Sequence, residues 1–158
     1  MPWRQPITLP RKVYIAAVAA EGSTPLNALD ACLIKIGLPQ VSLIKITSIL
    51  PPDIEIVENP PALPRGCNVP AVYSYVTSSN KGQQISAAIA LAFTDELTLV
   101  AEHADVDINN EEARRIVVNI VQEMANMRSL KIKKMIVRSV THVVKKIGCV
   151  IGIVAEVG

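Results

Sequence analysis

Three side chains in this 158-residue sequence invite a chemical reading: Ser48, Asp30 and Glu102. The stretch KITSILPPDIEIVE, residues 45–58, reads as a buried strand running into a double proline, with Thr47 and Ser48 at the strand's end. A seryl peptide bond is ordinarily inert, so the pair carries a function only if the rest of the chain supports one. Asp30 has Leu26 four residues before it and Leu33 three after, which puts it on a helical stripe that otherwise faces the core. A carboxylate there is costly unless a cation or several donors meet it. Either it sits at the edge of the stripe, solvated or paired with a lysine, or it is a pocket carboxylate for a cationic ligand. Glu102, in LTLVAEHADVD, alternates in phase with Val100 rather than His103. In an apolar cleft its pKa would rise and a neutral carboxyl could donate a proton; the alternative is an exposed glutamate at a strand end.

Other constellations are weaker. Glu102, His103, Asp105 and Asp107 resemble metal ligands, but a calcium loop would need glycine where Asn110 stands and an acid where Ile116 stands. No metal is expected. His142, in RSVTHVVKK, has no cysteine or carboxylate at ligand spacing and reads as a surface or satisfied core histidine. No G-x-S-x-G, G-x-G-x-x-G or phosphate-loop pattern occurs, which removes the main support for ordinary hydrolase and nucleotide-binding readings.

The elements that must position these residues follow from periodicity and punctuation. A first strand is expected over 12–20. Thr24 is a natural N-cap with Pro25 at the first helical position, and Gly37 and Pro39 stop that helix. Residues 41–50 predict one strand with Ser42, Ile44, Ile46, Ser48 and Leu50 on an inward face. Six of the eleven prolines fall between 51 and 70, predicting an extended crossing. Strands over 69–78 and 84–93 flank SNKGQ, a hairpin signal, and the second has large residues on one side and alanines on the other, so both faces can be covered. A strand over 97–104 precedes a helix with Asn109 and Glu112 at capping-box spacing and an apolar stripe through Ala113, Ile116, Val117, Ile120, Val121 and Met124. Strands over 132–144 and 148–156 finish the chain. Six or seven strands and two helices predict a layered α+β sandwich.

Half of the residues are apolar and 19% charged, enough for one well-filled core, so residues 1–158 are expected to form a single domain. The net charge of +2 comes from interspersed signs, and only five aromatic residues are available for stacking, so no nucleic-acid partner is expected. Cys32, Cys67 and Cys149 are an odd set without C-x-x-C spacing, read as reduced thiols of a cytoplasmic protein. No apolar run approaches the roughly 18 residues of a membrane span. The opening RKVYIAAVAAEG mimics a short signal peptide, but prolines at 2, 6 and 10 favour a strand.

In order and spacing, EGSTPLNALDACLIKIG, VSLIKITSILPPDIEIVE, VPAVYSYV, GQQISAAIALA, AEH and VTHVVKKIGC resemble the pyruvoyl-dependent arginine decarboxylases over nearly the whole length. The resemblance implies an αββα sandwich of mostly antiparallel strands and a proenzyme that cuts itself between Thr47 and Ser48. Fragments 1–47 and 48–158 would stay together, and Ser48 would become a pyruvoyl group. It also implies arginine converted to agmatine and CO2, with Glu102 returning the proton to Cα, Asp30 binding the guanidinium, and Leu26, Leu33, Val41 and Ile49 lining the aliphatic stem. Trimers or dimers of trimers, with sites between subunits, follow from the same source. The chain departs from the family pattern at Thr47, where serine is usual, and at Ser42, which stands in for an asparagine of processing or catalysis and leaves room for a water. Two other readings stay open: a decarboxylase of another amino acid, and an uncleaved relative acting as a binding or structural subunit.

Overall fold

The computed structural model describes residues 8–158, so Pro2 and Pro6 lie outside it. Strand β1 (Lys12–Glu21) leads into helix α1 (Pro25–Lys35), then β2 (Ser42–Lys45), β3 (Ile49–Leu50), β4 (Glu55–Val57), β5 (Asn68–Ser78), β6 (Gln84–Phe93) and β7 (Thr98–Val106). Helix α2 (Asn110–Met127), β8 (Lys134–Val143) and β9 (Gly148–Glu156) complete the chain. Both helix starts follow the capping chemistry. Thr24 Oγ1 accepts a hydrogen bond from Asn27 N at 3.1 Å, and Asn109 Oδ1 accepts one from Glu112 N at 2.8 Å. At the far end of α1, Gly37 turns at φ +84°, which glycine adopts without a Cβ penalty.

Two sheets form, in the order β2-β5-β9-β1-β4 and β3-β7-β6-β8. The second is antiparallel throughout; in the first, only the β2–β5 and β1–β4 pairs at its edges are parallel. Three layers of contact stack them. Ala28 and Cys32 of α1 pack on Ile151 and Ile153 of β9. Val13, Val72 and Val154 of the first sheet meet Ile89, Leu91 and Val100 of the second. Ala88, Ala90 and Ala92 of β6 receive Ala113, Val117 and Val121 of α2. The result is the expected αββα sandwich, with β6 covered on both faces. Burying Val117 and Val121 is worth about 1.5–3 kcal/mol each, against about 1 kcal/mol for the cap, so packing holds α2 in place more than its start signal does.

The sheets approach closely where Gly152 of β9 faces β6: a Cβ there would lie 2.8 Å from the Ala88 carbonyl oxygen. Gly152→Ala should cost about 1–3 kcal/mol, as overpacking of a dense core does. Urea unfolding should show the midpoint falling at unchanged slope.

The structure departs from the expected elements in three places. Residues 41–50 are two strands in different sheets, not one. Residues 69–78 and 84–93 are not a hairpin: β5 pairs with β2 and β9, and β6 with β7 and β8, so the turn at Gly82 carries the chain from one sheet to the other. The proline-rich crossing also contains β4, paired in parallel with β1. His142 is a satisfied histidine, its Nε2 lying 2.6 Å from Glu21 Oε2 across the sandwich edge.

Candidate active site

The site begins with how the chain passes between the sheets. Ile46 N donates to the Ala71 carbonyl at 3.0 Å in the first sheet, and Val100 N donates to the Ser48 carbonyl at 2.9 Å in the second. Thr47 is the sole residue between these anchors, so the Thr47–Ser48 peptide bond spans the gap between sheets. Beyond it Ile49 pairs with Leu99 and Leu50 with Thr98, until Pro51 and Pro52, which lack N–H groups, end the pairing. Thr47 is exposed, Ser48 half-buried and Leu50 buried, so the single inward face expected for 41–50 does not exist. Among the described non-glycine residues positive φ occurs at Asp53, Asp107 and Ser129, not at Thr47 or Ser48.

Strand β7 supplies the carboxyl. Val100 faces the first sheet in the core between the sheets, and alternation puts Thr98 and Glu102 on that face with it. Glu102 Oε2 is buried without a hydrogen-bond partner among the described residues, as is Thr98 Oγ1. Burial pushes the Glu102 carboxyl above its ordinary pKa; the Lys45 ammonium and the residue's own backbone N–H oppose the rise without cancelling it. Lys45 Nζ lies 5.4 Å from the centre of the Tyr73 ring, which fixes that charge near the edge of the first sheet. A carboxyl whose burial favours its proton-bearing form, on the strand that grips the Ser48 carbonyl, can deliver a proton to a group bound at the crossing.

The remaining expected site residues are not gathered here. Asp30 is exposed and makes no ion pair among the described residues, and Leu26 is 75% exposed. The face that α1 buries runs through Ala28 and Cys32, and Asp30, two residues from each, projects away from it. Of the two readings offered for Asp30, a place off the core-facing stripe is the one seen within the single chain. Leu33 and Val41 are half-buried against the α1 side of the first sheet, Ile49 is 38% exposed, and Ser42 is exposed on the edge strand β2, its N–H bonded to the Cys67 carbonyl. His103 and Asp105 stand 4.0 Å apart, and no cluster of three or more metal-ligating side chains exists among the described residues.

A cavity of about 450 Å³ opens beside the crossing, lined by Thr47, Ile49, Leu50, Pro51, Leu97 and Glu156 among others. Glu156 had escaped notice in the sequence. Its signal was available: in CVIGIVAEVG it alternates in phase with Val150, Gly152 and Val154, as the one charged residue on that face. Burial pushes its carboxyl above the ordinary value too.

With this geometry in view, comparison with known proteins is decisive. The family model described as pyruvoyl-dependent arginine decarboxylase matches residues 12–155. The chain belongs to that family. Relatives bearing the family's name include one from Methanothermobacter thermautotrophicus, 41% identical over 143 residues, covering 90% of this chain and 94% of that protein. One from Methanocaldococcus jannaschii is 37% identical, covering 89% of this chain and 86% of the relative. A third, from Pyrococcus abyssi, is 38% identical over 141 residues, covering 87% and 89%. The family's name marks enzymes that depend on a pyruvoyl group. No described helix is long and apolar enough to cross a membrane.

Proposed function

We propose that this chain severs itself between Thr47 and Ser48 and that the mature protein, fragments 1–47 and 48–158, decarboxylates arginine to agmatine. The observation that carries this reading is the buried, unpartnered Glu102 Oε2 on the strand whose Val100 N–H holds the Ser48 carbonyl. That pairing suits a pyruvoyl group at residue 48: the position is half-buried, anchored on its carbonyl side, and faced by a strand carrying an acid with a free oxygen. When present, the ketone supplies an electron sink for loss of CO2.

The chain's own residues do the rest. Ser48 Oγ attacks the Thr47 carbonyl to start processing, and the anchors at Ile46 and Ser48 restrain the bond that must break. Glu102 returns a proton to the substrate Cα, a task suited to a carboxyl whose burial raises its pKa and so favours the neutral form. Asp30 offers two oxygens to the planar guanidinium, with Leu26, Leu33, Val41 and Ile49 along the stem and Ser42 positioning groups at the reacting end. The exposure of Asp30 and Leu26 supports a site completed by a neighbouring copy in a trimer or dimer of trimers. The buried Cys32 and Cys149 thiols, both free, support a reducing, cytoplasmic setting.

Asp30→Ala should spare self-cleavage yet lower kcat/KM for arginine by about 30-fold or more, since truncating one partner of a charge pair buried between subunits costs about 2–5 kcal/mol. CO2 release from arginine measures it, and an unchanged kcat/KM would remove the guanidinium role. Release from other amino acids in the same assay separates arginine from its competitors.

A further inference from the structure

Among the described residues that line the cavity beside the crossing, Glu156 is the one ionisable side chain, and Thr47, on the acyl side of the bond expected to break, lines the same space. Glu156 of β9 shares this roughly 450 Å³ space with Thr47, in walls otherwise built from leucines, isoleucines and prolines, with Thr8 as the other polar contributor among the described residues. Its side chain points into the space between the sheets, in phase with the buried Val154, and makes no ion pair among the described residues. Nothing in the decarboxylation of arginine calls on it.

Resting on the self-cleavage reading above, we propose that Glu156 is a processing residue: its carboxyl shares a proton with the Thr47 carboxyl group as that group departs. The steps balance as follows. Ser48 Oγ bonds to the Thr47 carbonyl carbon while the Thr47–Ser48 C–N bond breaks, and the hydroxyl proton passes to the Ser48 nitrogen, leaving an ester. Water takes the Ser48 Cα proton, the freed pair forms a Cα=Cβ bond, and the Cβ–Oγ bond breaks with its electrons on Oγ, which leaves as part of the Thr47 carboxylate. Water then replaces the nitrogen as ammonia, leaving the ketone; no oxidant enters. The negative charge thus appears on Thr47, an exposed residue that lines the same open cavity as Glu156. Two carboxyls confined together cannot both ionise cheaply, and one shared proton resolves the conflict. A neutral Glu156 meets the charge as it forms and lowers the barrier to elimination.

The test is a time course of self-cleavage, followed by intact mass from pH 5 to pH 9, in wild type, Glu156→Ala and Glu156→Gln. Neighbouring elements carry Arg11, Lys12, Asp53 and Glu55, all exposed, and Glu102 on β7, so the variant profiles identify which group sets the pH response. Wild-type cleavage should slow as pH rises through the Glu156 pKa and the shared proton is lost. Glu156→Ala should be at least about 10-fold slower at low pH, where removing an acid of this kind matters most. Glu156→Gln keeps a neutral donor and should cleave within about threefold of wild type at low pH, with the fall at higher pH abolished. A Glu156→Ala chain that cleaves at the wild-type rate overturns the role, and so does a Glu156→Gln profile that falls in parallel with wild type; the latter decides the matter even if the alanine variant does not fold. An uncut wild-type chain instead overturns the cleavage reading itself.

Discussion

Ser48→Ala should remain a single species near the 17.0 kDa of the whole chain, whereas the wild-type protein should resolve into two fragments by intact mass. Alanine lacks the Oγ proposed to attack Thr47, and the hydroxyl of Thr47 itself lies on the acyl side of that bond, where it cannot replace it. The variant should also stay silent to hydrazine reagents and release no CO2 from arginine, because the keto group is never made. Folding should be nearly unaffected: the Ser48 carbonyl still accepts from Val100 N, and the lost hydroxyl has no hydrogen-bond partner among the described residues. A stability change within about 0.5 kcal/mol is expected of such a replacement. A cleaved Ser48→Ala chain would remove Ser48 as the origin of the ketone.

Glu102→Gln should separate the two halves of the chemistry. The amide cannot give up a proton, so the ketone should form while kcat falls by about 10²–10⁴-fold, the usual span for a positioned acid. The pH response follows from the direction of the shift. Burial raises the folded-state pKa, so the proton-bearing form persists above the ordinary carboxylate range, and wild-type turnover should decline as pH climbs through that raised value. For stability the sign is the same. The folded state holds this proton more tightly than the unfolded chain, so wild type loses stability as pH rises from the unfolded pKa through the folded one. Glu102→Gln should escape that loss, and chemical denaturation at high pH should find it no weaker than wild type. Full activity in Glu102→Gln would eliminate it as the acid.

The residues showed much of this in advance, and what they hid was long-range. Thr24, Asn109 and their partners three residues on mark both helix starts because capping is local chemistry. β6 betrays its double coverage because alternation alone separates its large side from its alanine side. The division of 41–50 between two sheets depends instead on Ala71 and Val100, remote partners that no periodicity within the segment can reveal. The SNKGQ turn deceived for the same reason, since a glycine at positive φ reverses a chain equally well within a sheet or between sheets. Glu102 was visible as a charge in phase with Val100; its free oxygen was not, because satisfaction of a polar atom is decided by what packs opposite. For Asp30 the spacing of Leu26 and Leu33 left two places open, and the choice between them depends on the sheet packed against α1, which buries Ala28 and Cys32 and leaves Asp30 exposed.

The weave of the first sheet has one more consequence. β1 and β2 precede Ser48, yet β1 lies between β9 and β4 and β2 lies against β5, all of which follow it. A nick after Thr47 therefore leaves two polypeptides interlaced in a common fabric, which no small hinge can separate. Melting such a molecule would release both strands of the weave, and renaturation would become second order, dependent on concentration and without the tether that once closed the loop. The route by which the whole chain first collapses would then be closed, so self-cleavage would commit the molecule to the shape it already has.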